Sequence, residues 1–550
     1  MSPDISAPPT HAQTILRRGG RWAFVLVSVL ILGSLSLQAL LTVLRGVPKD
    51  YKSFEQHFKY GTIGSDNLKA GFPYWIFKAL PVLFQDRLPA NGKPGYEAFG
   101  LIVERDVKGD PIEDRPVGFS RRRIGQRVGI DLVGVNCSLC HAGRLRRTET
   151  EQPVPVILGM PTNTVDVEAL FLFLFETARD PRFTTDTLMQ VIEQQRKDEL
   201  GQSYKPMGFI ERTLYRRIIQ LYRWEIGKVE RKFCFLHQVR TAGCEKKLPA
   251  ASGPGRIDTW APYKVQRLQM WPPLFDLIPD LTPAHFDAPD LGIGEAPGFA
   301  DAPPLWDLGR RLGSGVHWDR NTATLSDGSL IAAVGTGATP AAVDLPRLYR
   351  IAVWAKHAAP PRYEDYVPRP FTVNPGRANH GKNLYTATCA LCHEPGGRRF
   401  GLVESIETVG TDRNRLDAFT PKLVEKLKKV GRGYEWRLRH ISTTHGYTNG
   451  PLAGIWLRAP YLHNGSVPTL RDLLNNPDDR PKRFCRGNDL YDWKNIGFVS
   501  TPAEKGGPAD CGDFFLYDTS LPGNSNRGHL YGTMLEKDDK EALIEFLKTL

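Results

Sequence analysis

Cys137-Ser138-Leu139-Cys140-His141 and Cys389-Ala390-Leu391-Cys392-His393 decide how the rest of the chain is read. Each is a C-x-x-C-H run, the pattern by which a chain takes haem covalently. Positions i, i+3 and i+4 share one face of a helical turn. Two thiols so placed can bond the two vinyl arms of one porphyrin, while the adjacent imidazole reaches the iron. A zinc site prefers four ligands drawn from two close pairs. Here the two runs lie far apart, and each His follows its Cys directly. A thioredoxin-like C-x-x-C needs a βαβ setting and no obligatory His. The runs therefore imply two covalently bound haem c groups, with Cys137, Cys140, Cys389 and Cys392 as attachment points and His141 and His393 as iron ligands.

At 550 residues the chain exceeds one ordinary domain, and two or three are expected. Proline and glycine are abundant, so long irregular connections are expected between regular elements. The net charge of +12 is spread along the chain, with no nucleic-acid motif beside it, which argues against a nucleic-acid partner. The haem propionates would offset about four of those charges. Arg121-Arg122-Arg123 is the sharpest basic cluster and reads as a solvated face or a propionate partner. Four of the eight cysteines stand outside the motifs: Cys234, Cys244, Cys485 and Cys511. Pairing Cys234 with Cys244 and Cys485 with Cys511 would suit an oxidising compartment, although four cysteines allow three connectivities.

Residues 1–21 are polar or basic and read as a cytoplasmic tail. The uncharged run from Trp22 to Leu44 would span about 34 Å as a helix, enough to cross a bilayer. It is longer than a signal h-region and lacks a small-x-small cleavage site after it. With Arg17, Arg18 and Arg21 before it, it predicts a single-pass inner-membrane anchor with the bulk of the chain in the periplasm. The alternative is a cleaved signal and a periplasmic or secreted protein.

Beyond the anchor, residues 50–368 form the first expected haem domain and 372–550 the second, with Pro360, Pro361, Pro368 and Pro370 in the linker. Helices are predicted around Trp75–Leu83, Val165–Ala178, Thr185–Gln195, Glu211–Tyr222, Lys228–Phe235 and Leu345–Ala358. Short apolar pieces are predicted at Val154–Met160 and Leu330–Val334. From Pro249 to Pro304 prolines recur every few residues around Trp260 and Trp271, which excludes regular structure and suggests a loop wrapping a haem. A helix through Asn379–Tyr385 runs into the second motif. The terminal stretch Lys537–Leu550 carries the stripe Leu543, Phe546, Leu547 and Leu550. The fold class expected is mainly α: two cytochrome c-like haem domains with long irregular loops, plus an N-terminal transmembrane helix.

The run Leu457-Arg458-Ala459-Pro460-Tyr461-Leu462-His463-Asn464-Gly465-Ser466-Val467-Pro468-Thr469-Leu470 narrows this further. With Gly410-Thr411-Asp412 before it and Gly523-Asn524-Ser525-Asn526-Arg527-Gly528-His529 after it, the chain resembles the di-haem cytochrome c peroxidase superfamily, in particular its rubber-oxygenase branch. The resemblance is firm over 372–550 and thinner over 130–370. It implies that one haem is closed by two protein ligands and relays electrons, while the other keeps a face where peroxide or dioxygen reacts. It implies His529 as the second ligand opposite His393, ahead of His440, His445, His463 and Met534. His463 then hydrogen-bonds near the haem.

For the first haem the comparable part of the chain holds Trp306 and Val316-His317-Trp318-Asp319-Arg320. Trp306 and Trp318 are candidates to line its distal side, and His317 is a candidate acid/base or sixth ligand. Met160 and Met270 are further possible ligands, and Trp354 and Trp456 possible bridges between haems. Aromatic residues more often build core than sites. The expected function is a periplasmic di-haem c-type oxidoreductase acting on peroxide or dioxygen. Its expected redox partner is a small cytochrome, a cupredoxin or a quinol-linked donor. The alternatives are an electron-transfer cytochrome with two closed haems, and an exported binding module whose haem is structural.

Overall fold

A computed structural model of the chain describes residues 46–68, 70–125, 129–152, 154–232, 236, 251–258, 297–311, 315–500 and 511–550. It corrects the mainly α expectation. The structure is 39% helical with 13% strand, and its largest sheet stands directly before the first motif. Among the described residues no helix is long and apolar enough to cross a membrane. The expected transmembrane helix at 22–44 lies outside the described residues and gains no support.

The sheet has four antiparallel strands in the order β1 (Val47–Pro48), β3 (Phe119–Ile124), β4 (Ile130–Val135), β2 (Phe72–Pro73). Its centre is the β3–β4 hairpin, in register from Phe119 against Val135 to Ile124 against Ile130. The sequence carries the reason: Ile130-Asp131-Leu132-Val133-Gly134-Val135 is a short apolar run entered from Gly129, with no helical period. The three arginines of β3 face carboxylates. Arg121 meets Asp114 and Asp131 and lies over the Tyr74 ring, Arg122 meets Asp66 at 3.0 Å, and Arg123 meets Asp131 at 2.9 Å. They are structural ion pairs, which replaces the reading of this cluster as a solvated face or propionate partner.

The principal helices start where the sequence supplies caps. They are α1 (Phe54–Tyr60), α2 (Tyr74–Leu83), α3 (Val167–Arg179), α4 (Thr185–Leu200), α5 (Phe209–Lys232), α6 (Leu325–Gly335), α7 (Leu345–His357), α8 (Pro375–Thr388) and α9 (Lys537–Leu547). Side chains of Asp166, Thr184, Thr324, Asp344 and Asn374 accept backbone N–H groups at the starts of α3, α4, α6, α7 and α8. Two expected helices, 211–222 and 228–235, fall on the single α5 as far as Lys232, and 233–235 lie outside the described residues. The piece at 330–334 is the buried middle of α6.

Two large apolar cores result among the described residues, beside two small ones. One joins α2, α3, α4, α5 and the central sheet through Trp75, Phe99, Phe119, Phe173 and Tyr222, and takes Leu423, Leu427, Trp436 and Ile441 from beyond residue 372. The other gathers Leu145, Met160, Trp306 and Tyr363 with Trp456, Tyr491, Trp493, Leu543 and Leu547. Polar clasps reinforce this interleaving. Arg486 and Asp301 pair at 2.7 Å with side chains 1% and 5% exposed. Arg146 pairs with Asp489 at 2.9 Å, Trp493 Nε1 donates to the Arg147 carbonyl, and a parallel bridge joins Arg146 to Leu490. Cys485 and Cys511 form a disulfide on the strand pair Arg483–Arg486 and Phe515–Asp518. Cys234, Cys244, Trp260, Trp271 and Met270 lie outside the described residues.

Candidate haem-binding site

The first motif begins two residues after the last strand of the sheet ends at Val135. After Val135, the Asn136 side chain accepts the Ser138 N–H and donates to the Gly61 carbonyl at 2.9 Å, and the Ser138 hydroxyl donates to the Lys59 carbonyl. The end of α1 therefore holds the one-turn helix Cys137–Leu139 from outside. His141 N–H donates to the Cys137 carbonyl at 3.1 Å, the i to i+4 relation the motif requires. Burial drives the His141 imidazole down to about 4, and its Nδ1 is sealed with no partner. The ring is therefore held neutral, the form that binds a metal.

The second motif is reached through α8, whose C-cap is Cys389. α8 packs along α9 with Tyr385 against Phe546, ring centroids 5.1 Å apart. Close approach is possible because Gly381 faces the Ala542 carbonyl, where a Cβ would come to 1.9 Å. One helical turn, Ala390–His393, then presents the imidazole. His393 Nδ1 lies 2.8 Å from the Gly450 carbonyl. That bond fixes the tautomer with Nδ1 as donor and leaves Nε2 for a metal.

His529 faces it. The His393 and His529 ring centroids are 6.3 Å apart, tilted by 42°. Two imidazoles binding one metal from opposite sides, each nitrogen about 2 Å from it, have centroids roughly 6 Å apart. The pair fits a single iron. The other candidates are disposed differently. Met534 is 87% exposed, His445 is exposed, and His440 is tied to Asp327 at 2.9 Å. His463, 3% exposed, lies with its Nε2 3.0 Å from the Tyr447 hydroxyl, which donates to the Asp412 carbonyl and accepts from the imidazole, and it stacks on that ring at 4.2 Å.

The loop that carries His529 is pinned from two sides. Its N–H donates to the Val409 carbonyl at 2.8 Å, and Gly528 lies so close to Gly410 that a Cβ there would meet backbone at 2.4 Å. Arg480, 2% exposed, donates to the carbonyls of Asn526 at 2.6 Å, Gly528 at 2.9 Å and His529 at 3.3 Å. Sequence reasoning missed Arg480. Its only signal is an arginine in a turn, Asn476-Pro477-Asp478-Asp479-Arg480, with no nearby carboxylate in helical register.

Cys389, Cys392, His393 and His529 line one cavity of about 230 Å³, walled by Leu470, Leu473, Leu474, Leu543 and Leu547. Two thiols, two opposed neutral imidazoles and an apolar wall suit a covalently held haem. His317, Trp306 and Trp318 line this same cavity. His317 Nδ1 is 2.6 Å from Asn321 Oδ1, and its charge, when present, lowers the affinity of His141 for a proton. Trp318 Nε1 donates to the Asp301 carbonyl at 2.7 Å. Trp306 is wedged between Gly159, whose N–H donates to the His141 carbonyl, and Gly454 on the loop before Arg458. Its Nε1 donates to the Leu158 carbonyl at 2.9 Å. Met160 is buried against Gly143, Trp354 stacks on Phe58 at 3.9 Å, and Trp456 sits among Tyr363, Tyr491 and Trp493.

With this geometry established, the comparisons with known proteins can be placed on it. Residues 446–485 match the family described as RoxA-like, cytochrome c-like. The match covers Gly450, which holds His393, and the whole Leu457–Leu470 run. It supports haem c as the cofactor, a cytochrome c of the rubber-oxygenase kind, and a haem c oxidoreductase or electron-transfer role. Membership of the wider peroxidase superfamily is not established by it. The chain is also similar to two uncharacterized proteins of Sinorhizobium fredii (strain NBRC 101917 / NGR234). It is 29% identical to y4iM over 297 residues, 46% of this chain and 66% of that one. It is 40% identical to y4iJ over 143 residues, 24% of this chain and 22% of that one. The chain thus spans just under two thirds of the first relative and under a quarter of the second.

Proposed function

We propose that the chain is an extracytoplasmic di-haem c-type oxidoreductase. The reading is carried by the opposed imidazoles of His393 and His529, which would close the haem bonded to Cys389 and Cys392. Cys137, Cys140 and His141 would hold the other haem. When bound, the closed haem supplies electron relay and the haem at His141 supplies reaction with peroxide or dioxygen. The chain's own residues prepare for that division. Asn321 orients the His317 ring so that its other nitrogen can hold or release a proton at the cavity it shares with His393 and His529. Trp318 and Trp306, anchored through their indole N–H groups, form part of that cavity's wall. The disulfide Cys485–Cys511 supports an oxidising compartment, hence the periplasm. A small cytochrome, cupredoxin or quinol-linked donor would supply electrons.

Electron spin resonance on the resting protein, read beside assays with hydrogen peroxide and with polyisoprene under dioxygen, tests this. One low-spin bis-imidazole haem and one high-spin or ligand-binding haem are expected. His529→Ala should convert the low-spin signal while both haems stay covalently attached. Two fully low-spin haems with no turnover of either substrate would sink the oxidoreductase reading in favour of pure electron transfer.

A further inference from the structure

Among the described residues most buried arginines meet carboxylates, as Arg115, Arg122 and Arg486 do, while Arg256 and Arg480 are held by carbonyl, amide or hydroxyl oxygens. Arg311 and Arg458 meet no carboxylate either, and both line the cavity of the second motif. Arg458 gives its terminal nitrogens to the carbonyls of Pro451, at 2.8 Å, and Ala453. Arg311 gives one nitrogen to the His317 carbonyl at 3.2 Å and packs against Gly450, whose own carbonyl receives His393. In each, Nε is sealed from solvent with no hydrogen-bond partner. Asp307, the closest acid in the chain, is turned to Arg310 at 3.6 Å.

The two guanidiniums also feel one another. Burial, and then the Arg311 charge, pull Arg458 down to about 9, and burial pulls Arg311 to about 10. Asp307, then Tyr461, pull Arg458 back upward, but neither pairs with it. A buried cation with so little counter-charge is costly, and two lining one cavity more so. A fold keeps such a pair where an anion faces it. Two guanidinium forks match two carboxylates better than one point charge.

We propose that Arg311 and Arg458 bind a pair of carboxylates within the cavity, the two propionates of the haem held by Cys389 and Cys392. This rests on the reading of the second motif given above. A porphyrin carries its two propionates on neighbouring positions of one edge, so both can be met by two adjacent guanidiniums. A diffusible anion offers the same chemistry, and the test separates the two sources.

Resonance Raman spectra of the full-length holoprotein report propionate hydrogen bonding through the low-frequency propionate bending bands. Arg311→Gln and Arg458→Gln should each shift the band of the low-spin haem and leave that of the other haem in place. Arg311→Lys and Arg458→Lys keep the charge, lose the fork and keep the test alive if the Gln variants do not fold; a smaller shift is expected. Chloride, acetate and phosphate titrated into the unmodified protein should leave the bands unmoved. Bands unshifted in every folded variant, or bands that move saturably with added anion, overturn the proposal. The haem reading is checked apart from it, by the haem-to-protein ratio in alkaline pyridine before and after Cys389→Ser/Cys392→Ser. A ratio unchanged by that double substitution overturns the reading of the motif, whatever the arginines do.

Discussion

His529 holds a left-handed backbone, φ 49°, which a non-glycine residue adopts only when its surroundings over-determine it. Here the surroundings are the Val409 carbonyl, the Gly410–Gly528 contact and Arg480. A side chain held this way is pre-set, so the ligand role proposed for it would need no ordering. His57 is the opposite case: a fully buried imidazole on α1 with no hydrogen bond to either ring nitrogen. Burial first, then the Arg350 charge, hold it down at about 4, while Asp50 and Asp344 pull upward and Arg347 downward. The unfolded ring takes its proton near pH 6.5. Between those values the unfolded chain binds more protons, so stability is full above about pH 6.5 and falls as the pH drops toward 4. Screening by half-exposed Asp50 limits the effect to on the order of 1–2 kcal/mol. His57→Leu should flatten the loss of denaturant midpoint between pH 6.5 and 4.5. A variant as acid-sensitive as the parent would contradict this.

At the scale of elements, the α8–α9 pair sets the position of Cys389 and His393. Gly381→Ala would push a methyl into the Ala542 carbonyl. Overpacking at such a contact costs about 1–3 kcal/mol. The expected outcome is a lowered unfolding temperature together with a partly high-spin optical spectrum, since the helix that delivers His393 must shift. The second element-scale prediction concerns Cys485–Cys511, which closes a separation of 26 residues. By the chain-entropy estimate, Cys485→Ser/Cys511→Ser should cost roughly 3.5 kcal/mol, read as a fall in urea midpoint. An unchanged midpoint would mean that the strand pair holds without its staple.

Much at this scale was legible beforehand. Apolar periodicity marked the helices at 165–178, 185–195 and 345–358, and the terminal stripe of Leu543, Phe546 and Leu547 announces α9. The sheet was not legible, because β3 reads as three arginines, and their carboxylates Asp66, Asp114 and Asp131 come from elsewhere in the chain. His529 was reached from its motif, not from its packing. Arg311, Arg458 and Arg480 were out of reach, since what marks them is the partner each has or lacks in space, and no spacing records that.

At the scale of the whole molecule, each of the two main cores draws side chains from both sides of residue 372. The Arg486–Asp301 pair is the sharpest joint. Asp301→Ala leaves the Arg486 guanidinium buried without its counter-charge, a loss of about 3–5 kcal/mol. Scanning calorimetry of the holoprotein should show one transition at lower temperature. Two separate transitions would mean that the halves fold independently after all.

The parallel bridge between Arg146 and Leu490 has a kinetic side. It joins the residues just after the first motif to a segment late in the chain, a contact of very high sequence separation. Such pairings close slowly, because loop entropy is spent before any contact repays it. During synthesis the bridge cannot form until residue 490 has emerged, by which time both C-x-x-C-H runs have long been made. The residues just after His141 therefore wait for this partner until most of the chain has been made, and the joint is among the last to close.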